Sequence, residues 1–137
     1  MREIKFRGKI TALDYWVYGS LIRGTCGTAQ IVSPGNSAFV DPETVGQYTG
    51  SAEDRDTGES GYKPGPNDEF CEHDIIDHST GHGGRIGEIV WNEDLAGFAV
   101  EWIPRPLRTQ PWESFTCDIA TMSTKLGNRH DNPELLK

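Results

Sequence analysis

Apolar residues are scarce in this chain, at 35% of 137 positions with a mean hydropathy of −0.56. No run approaches the roughly 18–20 consecutive apolar residues that a membrane helix needs. The N-terminal charges are not followed by the apolar stretch of a secretory signal, so the expected location is the cytoplasm. Cysteine is limited to Cys26, Cys71 and Cys117, odd in number and far apart in sequence, which fits reduced thiols better than a disulfide framework. Basic residues are also short, 13 against 21 acidic, for a net charge of −8. Nucleic-acid affinity comes mainly from Lys and Arg neutralising phosphates, so general DNA or RNA binding is disfavoured. Gly24-Thr25-Cys26-Gly27 and Gly81-His82-Gly83-Gly84 lack the Lys-Ser/Thr of a phosphate loop and read as turns.

What the chain does have is aromatic: four Trp, four Tyr and five Phe supply large apolar areas from few positions. They fall in short segments with period-two alternation, which predicts an all-β protein. Ile4 to Gly8 is the first expected strand, with Ile4 and Phe6 inward and Glu3, Lys5 and Arg7 on a solvated side. Tyr15 to Ile22 and Ala29 to Val32 follow, separated from what comes next by a Ser33-Pro34-Gly35-Asn36 turn. Asp41-Pro42-Glu43-Thr44 has an N-cap residue followed by proline and predicts a short helical turn. Further on, Arg85 to Trp91 and Gly97 to Trp102 form a hairpin about Asn92-Glu93-Asp94. Pro104, Pro106 and Pro111 make a surface loop, Trp112 to Cys117 and Ile119 to Met122 are read as short strands, and Asn132 to Leu136 as a tail docked by its leucines.

Charge divides the chain. Residues 1–50 carry five basic and four acidic side chains, residues 51–82 two and nine, and residues 83–137 six and eight, so the acidity is one segment. The expected organisation is one compact unit made of a β subdomain over 1–50, an acidic Gly/Pro-rich loop over 51–69, and a second β subdomain with its tail over 70–137. The loop's composition cannot offset the entropy of ordering it.

Four patches recur in one order: Arg2-Glu3-Ile4-Lys5-Phe6-Arg7-Gly8, then Asp41-Pro42-Glu43-Thr44-Val45-Gly46-Gln47-Tyr48-Thr49-Gly50, then Gly87-Glu88-Ile89-Val90-Trp91, and Gly127-Asn128 leading to Asn132-Pro133-Glu134-Leu135-Leu136. Together they resemble the YopX family of small phage and prophage proteins, which have no established biochemical activity. The resemblance weakens between residues 51 and 82, where Asp74-Ile75 still matches a Gly-Asp-Ile-Val-like strand but His73 stands in place of the glycine. It implies an accessory protein of a phage or prophage, with a small SH3-like barrel closing around Trp91, Phe98, Trp102 and Phe115 in the C-terminal half.

Candidate chemistry is confined to Cys71, His73, Asp74, Asp77, His78 and His82. Thiolate, imidazole and carboxylate are zinc-ligand types, yet strand alternation sends Cys71, His73 and Asp77 to one face and Asp74 and His78 to the other, so no metal site and no cofactor are expected. A Cys71 or Cys117 dyad with His73 or His130 is the corresponding nucleophilic reading, and buried structural thiols are far commoner. Trp112, after Pro111, is the tryptophan expected to be exposed as a binding anchor, whereas Trp16, Trp91 and Trp102 are expected in core or rim. The leading expectation is a non-catalytic protein-interaction module with a host or phage protein partner, able to self-associate through strand edges. The alternatives are a metal-dependent or hydrolytic enzyme using His73, His78 and His82, and an acidic mimic of DNA that binds a basic partner.

Overall fold

The computed structural model describes residues 4–52, 69–79, 84–103, 112–116, 119–120 and 122–136. It is an all-β protein of two antiparallel sheets, and the chain divides into two units, residues 1–50 and 51–137. Among the described residues no helix is long and apolar enough to cross a membrane. The acidic Gly/Pro-rich stretch 53–68, His82, Cys117 and the proline loop 104–111 lie outside the described residues.

The first unit contains β1 (Phe6–Ile10), β2 (Tyr15–Arg23), β3 (Ala29–Ser33), β4 (Asn36–Val40) and the start of β5 (Gly46–Ala52). They pair in the order β4–β3–β2–β1–β5. Alternation puts Phe6, Ile10, Val17 and Leu21 against Ala29, Ile31 and Val40, which form the buried centre. Gly8 permits this packing, because a Cβ there would lie 2.5 Å from Val40 Cγ2. The expected helical turn is present at Pro42–Thr44, with the Asp41 carboxylate accepting from the Glu43 N–H at 3.1 Å. Thr44 Oγ1 accepts from the Lys9 N–H at 2.8 Å and donates to the Asp41 carbonyl at 2.6 Å, and β1 pairs with β5 at Phe6↔Gln47 and Arg7↔Gly46, so the first two patches of the sequence are joined in space.

One side of β1 differs from the expectation. Arg7 is only 4% exposed, its guanidinium 4.8 Å from the Trp16 ring centroid, and Lys9 Nζ lies 5.9 Å from the same ring. The face read as solvated is therefore a cation–aromatic layer, because Arg7 and Lys9 register opposite Tyr18 and Trp16 of β2.

The second unit contains β6 (Glu69–Cys71), β7 (Asp74–Ser79), β8 (Gly84–Asn92), β9 (Gly97–Ile103), β10 (Trp112–Ser114) and β11 (Ser123–Asn128). Its sheet runs β10–β9–β8–β7–β11, and no described pairing closes it into a barrel. The hairpin expected over Arg85–Trp91 and Gly97–Trp102 is β8–β9, in register from Ile86↔Ile103 to Asn92↔Gly97. One face of this sheet carries the core: Phe70, Ile76, Ile89, Val100, Trp102 and Ala120, flanked by Phe98, Phe115 and Ile119. Each large side chain buried there stabilises the fold by about 1.5–3 kcal/mol.

One expectation is corrected. Ile119 and Ala120 are helical, not extended: Thr116 Oγ1 accepts from the Ile119 N–H and its carbonyl from the Ala120 N–H, at 3.3 and 3.0 Å. The strand begins after them, as β11. Trp91, expected in core or rim, takes a rim position near the hairpin end, 44% exposed and edge-on to Phe98 at 5.3 Å.

Candidate functional site

The opposite face of the second sheet carries Ile75, Ile86, Val90, Ala99 and Ile103 together with two carboxylates, Glu88 and Glu101, and its polar part is assembled from a corner and a C-terminal turn. At the corner, Glu72-His73 joins β6 to β7, and His73 adopts φ 72°. That is the left-handed region, in which a glycine costs nothing and a side chain about 1–2 kcal/mol. Both peptide groups of His73 are used: its N–H donates to Ile89 O at 2.7 Å and its carbonyl accepts from the Arg129 N–H at 2.8 Å. Asp74 anchors the other side of the corner, with Oδ2 accepting from the Cys71 N–H at 2.8 Å and lying 3.4 Å from Lys125 Nζ.

The C-terminal turn is tied by two asparagines. Asn128 Oδ1 accepts from the N–H groups of His130 and Asp131, each at 2.9 Å, and Asn132 Oδ1 accepts from the Asn128 N–H at 3.3 Å. Asn132 packs so closely on Gly127 that a Cβ at Gly127 would collide with its side chain. These bonds set Pro133–Leu136 as a short 3-10 turn and aim Arg129 back at the sheet.

Glu88 is where the two devices meet. Its side chain is 5% exposed, with Oε1 3.0 Å from an Arg129 guanidinium nitrogen and Oε2 3.2 Å from His73 Nδ1. The His73 ring meets His130 edge-on at 5.5 Å. Because half of Arg129 is exposed, its bond to Glu88 is worth about 1–2 kcal/mol, less than a fully buried charged bond. Directly opposite Glu88 across the β8–β9 ladder stands Glu101. Two carboxylates in that position repel unless one is neutralised. Glu88 is; Glu101 has no hydrogen-bond or ion-pair partner among the described residues.

Between them is a pocket of about 200 Å³ lined by Glu88, Glu101, Trp102, Ile103, Arg129 and Leu136. That is smaller than the roughly 300–1,000 Å³ of most small-molecule and cofactor sites, and suits a single inserted side chain. Trp112 registers opposite Glu101 on β10, the outer strand of the sheet, so its indole and the Glu101 carboxylate share this face with Cβ atoms about 4.5–5.5 Å apart.

Of the histidine candidates, the two described ones, His73 and His78, are not brought together. His73 turns to Glu88, while His78 lies on the core face, its Nδ1 3.3 Å from Ser123 Oγ and its ring 5.8 Å from Trp102. Cys71 is buried in β6. Among the described residues no three His, Cys, Asp or Glu side chains are grouped to hold a metal ion. Trp112 is half-buried instead of open, and Trp91 is the more exposed of the two. Sequence reasoning missed Glu88, Glu101 and Arg129; the one available signal was an acidic residue in the middle of each of two strongly apolar strands. A scan against protein-family models and a search of curated proteins gave no match to this chain.

Proposed function

We propose that this chain is a YopX-like accessory protein of a phage or prophage, acting in the host cytoplasm as a non-catalytic protein-interaction module, and that its second unit is SH3-like. The family reading rests on the four ordered patches and on His73, which takes a left-handed conformation at the position where the family carries glycine. The SH3-like reading rests on topology. Within the second unit the last strand, β11, returns beside β7, so the meander runs fifth, first, second, third, fourth, with a helical turn at Ile119-Ala120 before the fifth.

The interaction reading is carried by one observation: Trp112 stands on the outer strand beside a pocket and beside Glu101, which has no partner among the described residues. Aromatic anchors next to such a cavity are typical of interface hot spots. The residues of the patches, by contrast, serve the fold. Gly8 and Gly87 clear space for packing, Thr44 ties a turn to β1, and Glu88 and Asn132 fix the C-terminal turn. The test is affinity capture from induced or infected host cells with wild-type protein and Trp112→Ala. A protein captured by the wild type and lost by a folded Trp112→Ala supports the reading; capture that Trp112→Ala leaves intact contradicts it.

A further inference from the structure

The second unit contains one arginine-binding arrangement already filled and a second, built from the same residue types, left open. The filled one lies on the core face. Arg85 places its guanidinium 4.4 Å from the Trp102 ring centroid, with Nη1 3.6 Å from Glu113 Oε1. Tryptophan from β9 and glutamate from β10 thus hold an arginine between them. The open one follows from the same two strands, because β9 reads Glu101-Trp102 and β10 reads Trp112-Glu113. Successive residues of a strand point to opposite faces. With Trp102 and Glu113 on one face, Glu101 and Trp112 present the matching pair on the other, in direct register. No arginine of the described residues occupies it: Arg129, the only one lining the adjoining pocket, is bonded to Glu88.

We infer that the Trp112–Glu101 face and its pocket receive an arginine side chain of a protein partner. This rests on the interaction reading above and names the chemistry of what that surface takes. A planar guanidinium can lie on an indole face and still offer two N–H donors to a carboxylate, which an ammonium cannot do in one geometry. It is also more weakly hydrated than an ammonium, so it enters a part-apolar pocket walled by Ile103 and Leu136 at lower desolvation cost. The charge balance agrees. Glu88 and Arg129 cancel, leaving Glu101 as the uncompensated charge among the described residues of the pocket, on a chain of net charge −8 that attracts basic partners.

The probe is a pentapeptide with one central arginine flanked by glycines, titrated into the full-length protein and followed by NMR at the Trp112 indole and the Glu101 and Ile103 amides. The comparison peptide carries citrulline, which keeps the shape and loses the charge. Saturable shifts at those three residues are expected, weakened at least about tenfold by citrulline and by Glu101→Gln, and weakened further by added salt. Shifts of equal affinity for the citrulline peptide, or unchanged by Glu101→Gln, overturn the inference. So does a wild-type protein that ignores the peptide while Arg105→Ala/Arg108→Ala binds it, since the chain's own loop would then be the occupant. A captured partner lost by Trp112→Ala but bound at full strength by Glu101→Gln refutes the arginine and leaves the interaction reading standing. If both variants keep the partner, both fall.

Discussion

His73 shows how much one residue can decide. It is the only described non-glycine residue in β6, β7 or the turn joining them with a positive φ, and it bonds through its N–H, its carbonyl and its ring. Replacing it by glycine removes the left-handed penalty as well as the ring; replacing it by alanine removes the ring and keeps the penalty. The glycine variant should therefore be more stable than the alanine variant by about 1–2 kcal/mol in urea unfolding. Equal stabilities would mean the corner relaxes to another conformation. Asn132 is a second such residue, and Asn132→Ala should cost about 1 kcal/mol by releasing the Asn128 N–H. The loss should appear as faster amide exchange at residues 128–135.

Among the elements, β8 is the most constrained. Gly87 faces the core, where a Cβ would collide with Val100 and lie 2.9 Å from Trp102 Cε3. Gly87→Ala should destabilise the protein by about 1–3 kcal/mol, read as a lowered thermal midpoint, because β9 cannot retreat without breaking its ladder. The hairpin of β8 and β9 was legible in the sequence through alternation and its turn, as was the Asp41 cap through proline at the first helical position. Other strands were not, and two of them show why. β4 (Asn36–Val40) and β11 (Ser123–Asn128) are rich in Asn, Ser, Lys and Gly, which have weak strand preference alone and become strands by pairing with β3 and β7. Parity across His73 was also hidden, since a left-handed residue resets which side chains share a face. That is why the expected grouping of Cys71, His73 and Asp77 does not describe one surface. Trp112 was legible as the start of a strand after the proline run, though not as half-buried, and Glu101 gained meaning only once strand register put it beside Trp112.

For the whole molecule, the division of labour is between residues that hold the two sheets and residues left over. The ordered patches that give the sequence its resemblance belong to the first group. The Trp112–Glu101 face belongs to the second. Since His73 and His78 lie on opposite faces of β7 and its corner, treatment with EDTA should leave the thermal midpoint unchanged. A lowered midpoint, with stoichiometric zinc in protein prepared without metal-affinity steps, would revive the enzymatic alternative. Net charge acts at this scale too: association with a basic partner should slow as salt rises, since steering between unlike charges is screened beyond about 10 Å at 0.1 M.

The central claim, that this is an interaction module working through the Trp112 face, is tested most directly by the dissociation constant of a captured partner for wild-type protein and for Trp112→Ala, with circular dichroism of the variant taken alongside. The account predicts a native spectrum and an affinity weakened by about 1–3 kcal/mol, roughly five- to 150-fold. A native spectrum with an unchanged dissociation constant would contradict it.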